Sequence, residues 1–173
     1  MFQTLDEAVS FIRHKSVAMV DLKFCDLWGR WRHVTLPAGR FNPSLIESGV
    51  GFDGSSLGLT AVKSGDLVLV PELGTAFLDP FWEAPTISFL CATLEADTRH
   101  PFPHDPRTLA ARAEEFLRTS GVGDASLWGP EFEFYLFDGV SYENGVNAAA
   151  YRVESREADW KSNQLGGGYT IPR

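Results

Sequence analysis

The apolar and polar positions of this chain change period several times, and each change marks an element. Thr4-Leu5-Asp6-Glu7 has the form of a capping box, and Ala8, Phe11 and Ile12 continue at helical spacing. This predicts a short amphipathic helix over residues 4–14. From residue 17 to 24 the period becomes two, with Val20, Leu22 and Phe24 on one face and Asp21 and Lys23 on the other. Asp26-Leu27-Trp28-Gly29 reads as a turn in which Gly29 is free to take positive φ. Residues 30–36 return as a second strand ended by Pro37, so the pair forms a β-hairpin. Asn42 to Gly49 has the pattern of a short helix that Gly49 closes. Residues 67–70, 75–78 and 86–94 are β-prone runs between turn formers, and with the hairpin they make about five strands.

Residues 97–104, Asp-Thr-Arg-His-Pro-Phe-Pro-His, contain two prolines and no periodicity, which places a domain boundary there. The expected division is 1–104 and 105–173. Asp105 caps a helix over 106–120 with Pro106 at its first position; Leu109, Ala113, Phe116 and Leu117 form its buried stripe and Gly121 ends it. A strand is expected over 128–137. Residues 139–173 are rich in Gly, Asn, Ser and charge with low periodicity, and read as a flexible tail that leaves the second domain incomplete.

Composition narrows the function classes. The chain has 173 residues and is 44% hydrophobic, enough for one sizeable domain or two small ones with a real core. Fifteen Lys and Arg against 23 Asp and Glu give a net charge of −8, with no basic stripe to follow a phosphate backbone, so nucleic acid is not an expected partner. No apolar run reaches about 18 residues and no basic-then-apolar leader opens the chain. The expectation is a soluble, cytoplasmic protein without a membrane partner. Cys25 and Cys91 sit in strand-like runs without metal-ligand spacing and read as buried reduced thiols. His14, His33, His100 and His104 read as surface residues.

Two stretches carry candidate chemistry. In Trp128-Gly129-Pro130-Glu131-Phe132-Glu133-Phe134-Tyr135-Leu136-Phe137-Asp138, two carboxylates stand two residues apart in an otherwise apolar run. On a strand they share one face, with Cα atoms roughly 6.5–7 Å apart. Two like charges in an apolar setting call for a cation, and hard oxygen donors suit Mg²⁺ or Mn²⁺. The same spacing equally fits an edge strand that carries its glutamates into water. The second stretch is Val50-Gly51-Phe52-Asp53-Gly54-Ser55-Ser56-Leu57-Gly58. Its glycines permit tight geometry, and its hydroxyls and acid fit either a loop reaching a small polar ligand or a plain turn. No Lys-Ser/Thr follows the glycines, so it is not a P-loop.

Taken together the motifs resemble the N-terminal portion of a class I, bacterial-type glutamine synthetase. The matching residues are Val20-Asp21-Leu22-Lys23-Phe24 with its hairpin, Phe52-Asp53-Gly54-Ser55-Ser56 and Ser64-Gly65-Asp66-Leu67-Val68-Leu69-Val70-Pro71. They continue with Leu78-Asp79-Pro80-Phe81, Asp105-Pro106-Arg107 and Gly129-Pro130-Glu131-Phe132-Glu133-Phe134. The resemblance implies an α+β fold, with a β-grasp N-terminal domain followed by an incomplete catalytic domain. It implies a parent enzyme that condenses glutamate with ammonia, using ATP as co-substrate and passing through γ-glutamyl phosphate. Glu131 would be a metal ligand near the ATP phosphates and Glu133 one near the glutamate γ-carboxylate, with Mg²⁺ or Mn²⁺ as the ions. Asp53 would bind ammonium and help remove its proton, with Ser56 beside it. The family assembles as two stacked rings of six, in which the loop bearing Asp53 completes the neighbouring subunit's site. Most of the ATP site would lie beyond Arg173, so this chain alone is expected to be inactive.

The chain departs from the family pattern in two places. Leu57-Gly58-Leu59-Thr60 stands where the family commonly has a Trp, and Gly167-Gly168-Tyr169 follows Trp160 too closely to be the family's Gly-Gly-Tyr. Two other functions remain open: a γ-glutamyl ligase for a polyamine or other amine, and a stand-alone β-grasp interaction module.

Overall fold

A computed structural model of the chain describes residues 1–61 and 65–156. They divide into two compact units, one spanning Met1–Ser126 and the other beginning at Leu127.

The first unit opens with α1 (Leu5–His14), whose Thr4 hydroxyl accepts from the Glu7 amide while the Glu7 carboxylate accepts from the Gln3 and Thr4 amides. Strands β1 (Met19–Cys25) and β2 (Trp31–Pro37) form the expected hairpin, paired from Met19↔Pro37 to Cys25↔Trp31. Asp26 shapes its turn. Its Oδ1 accepts from the Trp28 amide at 2.9 Å and the Arg30 amide at 3.0 Å, its Oδ2 accepts from Arg32 Nε at 2.8 Å, and Gly29 takes φ +78°. Helix α2 (Pro43–Ser48) is capped by Asn42, and Gly49 closes it at φ +74° with its Cα against the Leu69 carbonyl, where a Cβ would come within 2.8 Å.

Four more strands complete the sheet: β3 (Val50–Asp53), β4 (Asp66–Pro71), β5 (Phe77–Asp79) and β6 (Thr86–Glu95). Their order is β2-β1-β6-β4-β3, with β5 also on β6. The first half of β6 lies parallel to β1, and its second half is antiparallel to β4. The sheet therefore has six strands; the additional one is β3, which the Gly- and Asp-rich composition of residues 50–58 disguised as loop.

The register gathers Val20, Leu22 and Phe24 of β1, Leu67 and Leu69 of β4, and Ile87, Phe89 and Cys91 of β6 into one buried core with Ala8 and Ile12 of α1, Phe41 just before α2, and Leu45 of α2. The opposite face is covered too. Asp21 has no exposed surface, accepting from Thr35 Oγ1 at 2.6 Å, bonding His33 Nδ1 at 2.7 Å and facing Lys23 Nζ at 3.2 Å. Lys23 also reaches Asp79 at 3.0 Å, and Ser88 donates to Asp79 at 3.2 Å. Period two assigned Asp21 and Lys23 to one face correctly, but these cross-strand partners were invisible to it. His33 is exposed, as expected, and its ring also helps to hold the buried Asp21 carboxylate. Of the two thiols, Cys91 is buried and Cys25 half-buried, and neither forms a disulfide.

The segment 97–104 is tied to this unit. Arg99, at φ +61°, donates to the carbonyls of Glu47 at 2.8 Å and Ser48 at 2.6 Å, and Phe102 is buried. Helix α3 (Pro106–Thr119) follows, capped by Asp105, and it falls within the first unit. Its stripe is not buried as expected: Leu109, Ala113 and Phe116 are exposed and Leu117 is half-buried. A helical stripe is buried only when another element supplies the opposing face, and the core side of this sheet is already occupied by α1 and α2.

In the second unit, residues 128–137 form no ladder. A strand needs a neighbour for its backbone hydrogen bonds, and the two strands described there, β7 (Gly139–Asn144) and β8 (Ala149–Glu154), pair with each other. That hairpin corrects the expectation of an unstructured tail over its first part. Its four-residue loop, 145–148, closes with the Gly145 amide donating to the Ala148 carbonyl at 2.8 Å, and the alternating runs Val140/Tyr142 and Tyr151/Val153 about a Gly-containing loop were the signal for it. Trp160, the Gly167-Gly168-Tyr169 run and the rest of the expected tail lie outside the described residues.

Candidate functional site

Asp53 ends β3, and its carboxylate caps the short 3₁₀ turn Gly54–Leu57. The turn forms here because Asp at such a position bonds the backbone two residues on, and because two glycines allow a close approach. Asp53 Oδ1 accepts from the Ser55 amide at 2.8 Å and from the Ser55 hydroxyl at 2.7 Å. Ser56 turns its own hydroxyl to the Asp53 carbonyl at 2.7 Å. Gly58, at φ +69°, closes the turn, and the Gly54 amide donates to Gly65 O at 2.7 Å. A Cβ on Gly54 would meet Leu67 Cδ1 at 2.6 Å, and one on Gly65 would meet Asp53 Oδ1 at 2.7 Å.

The carboxylate remains exposed, at the rim of an open cleft of about 430 Å³ lined also by Phe24, Arg32, Phe52, Ser56 and Leu57. The Ser55 hydroxyl and the Ser55 and Ser56 amides hold the Asp53 carboxyl below the ordinary aspartate range, against a smaller opposing effect of burial. It is an anion held in one orientation at a cleft whose lining mixes apolar side chains with Arg32 and His33, and it can accept a small cation from the solvent side.

Glu131 and Glu133 lie in the second unit. Both are exposed, and neither carries a hydrogen bond or ion pair among the described residues, whereas nearby Asp138 is paired with Arg156 at 3.0 Å. Their neighbours Phe132, Phe134 and Leu136 are exposed as well, and the rings of Tyr135 and Phe137 stack at 6.2 Å, as extended backbone places residues two apart. As donors the two carboxylates fit a hard divalent cation. Among the described residues no group of three or more His, Cys, Asp or Glu gathers to close a metal site, so further ligands would have to join them.

The structure thus brings Asp53 and Ser56 together on one turn. Ser55 and Gly65, which hold the acid most closely, were not singled out by sequence reasoning, although an Asp followed two residues later by Ser is the signature of such a turn. No helix among the described residues is long and apolar enough to cross a membrane.

A six-stranded mixed sheet gripping a helix, followed by an acidic aromatic segment, defines the class: a β-grasp domain joined to the start of a catalytic domain. Residues 16–96 match the glutamine synthetase β-Grasp domain and residues 103–172 match the glutamine synthetase catalytic domain, so the chain belongs to the glutamine synthetase family. Glutamine synthetase of Aquifex aeolicus is 38% identical over 98% of the chain and 36% of its own length. A protein of Cupriavidus pinatubonensis named 3-hydroxylaminophenol mutase is 37% identical over 95% of the chain and 35% of its own length. A cryo-EM structure of Plasmodium falciparum glutamine synthetase shares the fold at a TM-score of 0.67 and 20% identity, covering 94% of this chain and 32% of that one. The chain therefore spans about a third of the length of the curated relatives it matches.

Proposed function

We propose that this chain contributes the ammonium-holding loop and the first metal-ligating carboxylates of an ATP-dependent glutamate–ammonia ligase of the cytoplasm. The observation that carries the reading is the Asp53 carboxylate, exposed at a cleft rim yet held ionised by Ser55 in a chain of this family. In the reaction, ATP phosphorylates the γ-carboxylate of glutamate, and ammonia attacks the resulting acyl phosphate with loss of phosphate. Asp53 holds the nucleophile's precursor, NH₄⁺, and favours its deprotonation beside the electrophile, and Ser56 supports the turn that presents the acid. Glu131 and Glu133 would hold Mg²⁺ or Mn²⁺, which when bound supplies charge neutralisation for the transferring phosphoryl oxygens. The domain division of the working protein follows the segment 97–104. Its assembly is a dodecamer of two stacked rings of six, in which Asp53 serves a neighbour's site and the two glutamates serve their own.

A second reading has one observation in its favour. The walls of the Asp53 cleft include Phe24, Phe52 and Leu57, which offer apolar surface to an amine carrying an alkyl group. In the whole enzyme, Asp53→Ala should raise the ammonium KM by at least about tenfold, the loss of one charge-assisted contact. Unchanged ammonium dependence would reject the reading, and preferential turnover of a short alkylamine would select the second.

A further inference from the structure

We propose that Ser55 is the positioning residue of the Asp53 carboxylate, closing on one of its oxygens with both amide and hydroxyl so that the acid meets the cleft in a single rotamer and as an anion. The inference deepens the ammonium reading and rests on it for its functional consequence; its geometry stands independently. Both Ser55 donors converge on Oδ1, at 2.8 and 2.7 Å. Gly65 packs close to that oxygen and to Ser55, so that even a methyl group there would stand 2.7 Å from Oδ1 and 3.4 Å from Ser55 Cβ. Ser56, the other serine of the turn, spends its hydroxyl on the Asp53 carbonyl and so fixes backbone, not carboxylate. The two serines therefore divide the work, and only one of them acts on the charged group.

The division has a chemical consequence. A carboxylate with one oxygen already accepting two hydrogen bonds is a good fixed negative charge. Asp53 held in this way selects the cationic form of its ligand and discriminates against a neutral amine of the same size. Its first contribution is the binding and orientation of NH₄⁺, the state from which the proton is then lost beside the electrophile. Ser55 thus sets specificity through Asp53 without touching the ligand.

The test uses three variants and two readouts. In the 173-residue chain, a ¹³C titration of the Asp53 carboxyl should show a midpoint below ordinary aspartate, shifted upward in Ser55→Ala and retained in Ser55→Thr, which keeps the hydroxyl. Gly65→Ala, which crowds the same oxygen and Ser55 together, should also move the midpoint and serves if Ser55→Ala fails to fold. In the whole enzyme, Ser55→Ala should raise the ammonium KM about tenfold and Ser55→Thr should restore it. A kcat within about twofold of wild type in Ser55→Ala would mark a loss of binding and orientation. An unmoved titration midpoint in Ser55→Ala and Gly65→Ala overturns the positioning role. A shifted midpoint with unchanged ammonium KM leaves the positioning intact and overturns the functional reading of Asp53. A fall in kcat alone, with KM unchanged, overturns the assignment of Ser55 to binding.

Discussion

The sheet of the first unit and the acidic segment of the second are built from the same kinds of residue and end in opposite environments. Val20, Leu22, Ile87 and Phe89 alternate along paired strands and are buried, whereas Phe132, Phe134 and Leu136 alternate along residues 128–137 and stand in solvent. The difference is one of partners. The strands of the sheet find neighbours for their backbones within the chain, and β1, β4 and β6 also find a layer for their apolar faces. The acidic segment has the pattern of a strand but no ladder among the described residues. An apolar alternation is therefore half of a structural statement, and the complementary surface supplies the rest.

The largest effect should come from the core of the sheet. Phe89 is fully buried at the centre of β6 and stacks on Phe41 with ring centroids 4.8 Å apart. Phe89→Ala should cost about 3–5 kcal/mol of stability. Urea unfolding followed by tryptophan fluorescence measures it, and a loss below about 1 kcal/mol would show a loosely packed unit.

Acid should act next, through the carboxylates of the first unit. Asp26, Asp53 and Asp79 all have lowered pKa values: for Asp26 and Asp79 burial opposes ionisation but is outweighed, by the Arg30 amide, Arg32 and the Trp28 amide at Asp26 and by Lys23, the Phe81 amide and Ser88 at Asp79. A depressed folded pKa means that the unfolded chain binds more protons in the acid range. The stabilisation is complete above about pH 4, near the ordinary aspartate value, and is lost as pH falls through the depressed values. Asp79→Asn should flatten the fall in urea midpoint between about pH 4 and pH 2. At the alkaline end Lys23 is raised by Asp79 and Asp21 despite the opposing effect of burial, so its contribution holds below the ordinary lysine range and fades as pH rises through the raised value.

How much of this was legible in the sequence follows the same division. The capping box at Thr4, the turn at Gly29, the cap at Asp105 and the β1–β2 hairpin are decided within a few residues, and all formed as expected. The burial of Asp21 depends on Thr35 and His33 across the ladder, which periodicity on one strand does not reveal. At the site, Asp53 and Ser56 were singled out from the loop they share; the hold of Ser55 on Asp53 is equally local and went unread, while Gly65 emerges only when β3 and β4 are paired. Strand β3 was hidden by its own glycine and aspartate, residues that ordinarily mark turns. The β7–β8 hairpin, two alternating runs about a Gly-containing loop, was masked by the polar composition around it.

A smaller effect tests the join that ties residues 97–104 to the sheet. Arg99 holds a positive φ that a side chain disfavours, and its guanidinium donates to two carbonyls at the C-terminal end of α2. Arg99→Ala keeps the backbone strain and loses the bonds, for an expected cost of about 1–2 kcal/mol. Arg99→Gly loses the same bonds but adopts φ +61° without strain, so it should cost less than the alanine variant. Equal losses would show that the backbone strain is negligible.

The smallest effect belongs to the acidic segment and decides the comparison most directly. Phe134 is 76% exposed in a stretch without a ladder, so Phe134→Ser in this chain removes little buried surface and should change stability by less than about 0.5 kcal/mol. Serine also weakens the β propensity of the stretch, which matters only if the stretch pairs. Hydrogen exchange at the amides of residues 131–137 supplies the second reading, since unpaired backbone exchanges fast and ladder backbone does not. A Phe134→Ser loss of about 2 kcal/mol or more, together with protected amides, would mean that the segment has found a partner strand. The alternation of Glu131 and Glu133 would then acquire the common face that their spacing alone leaves undecided.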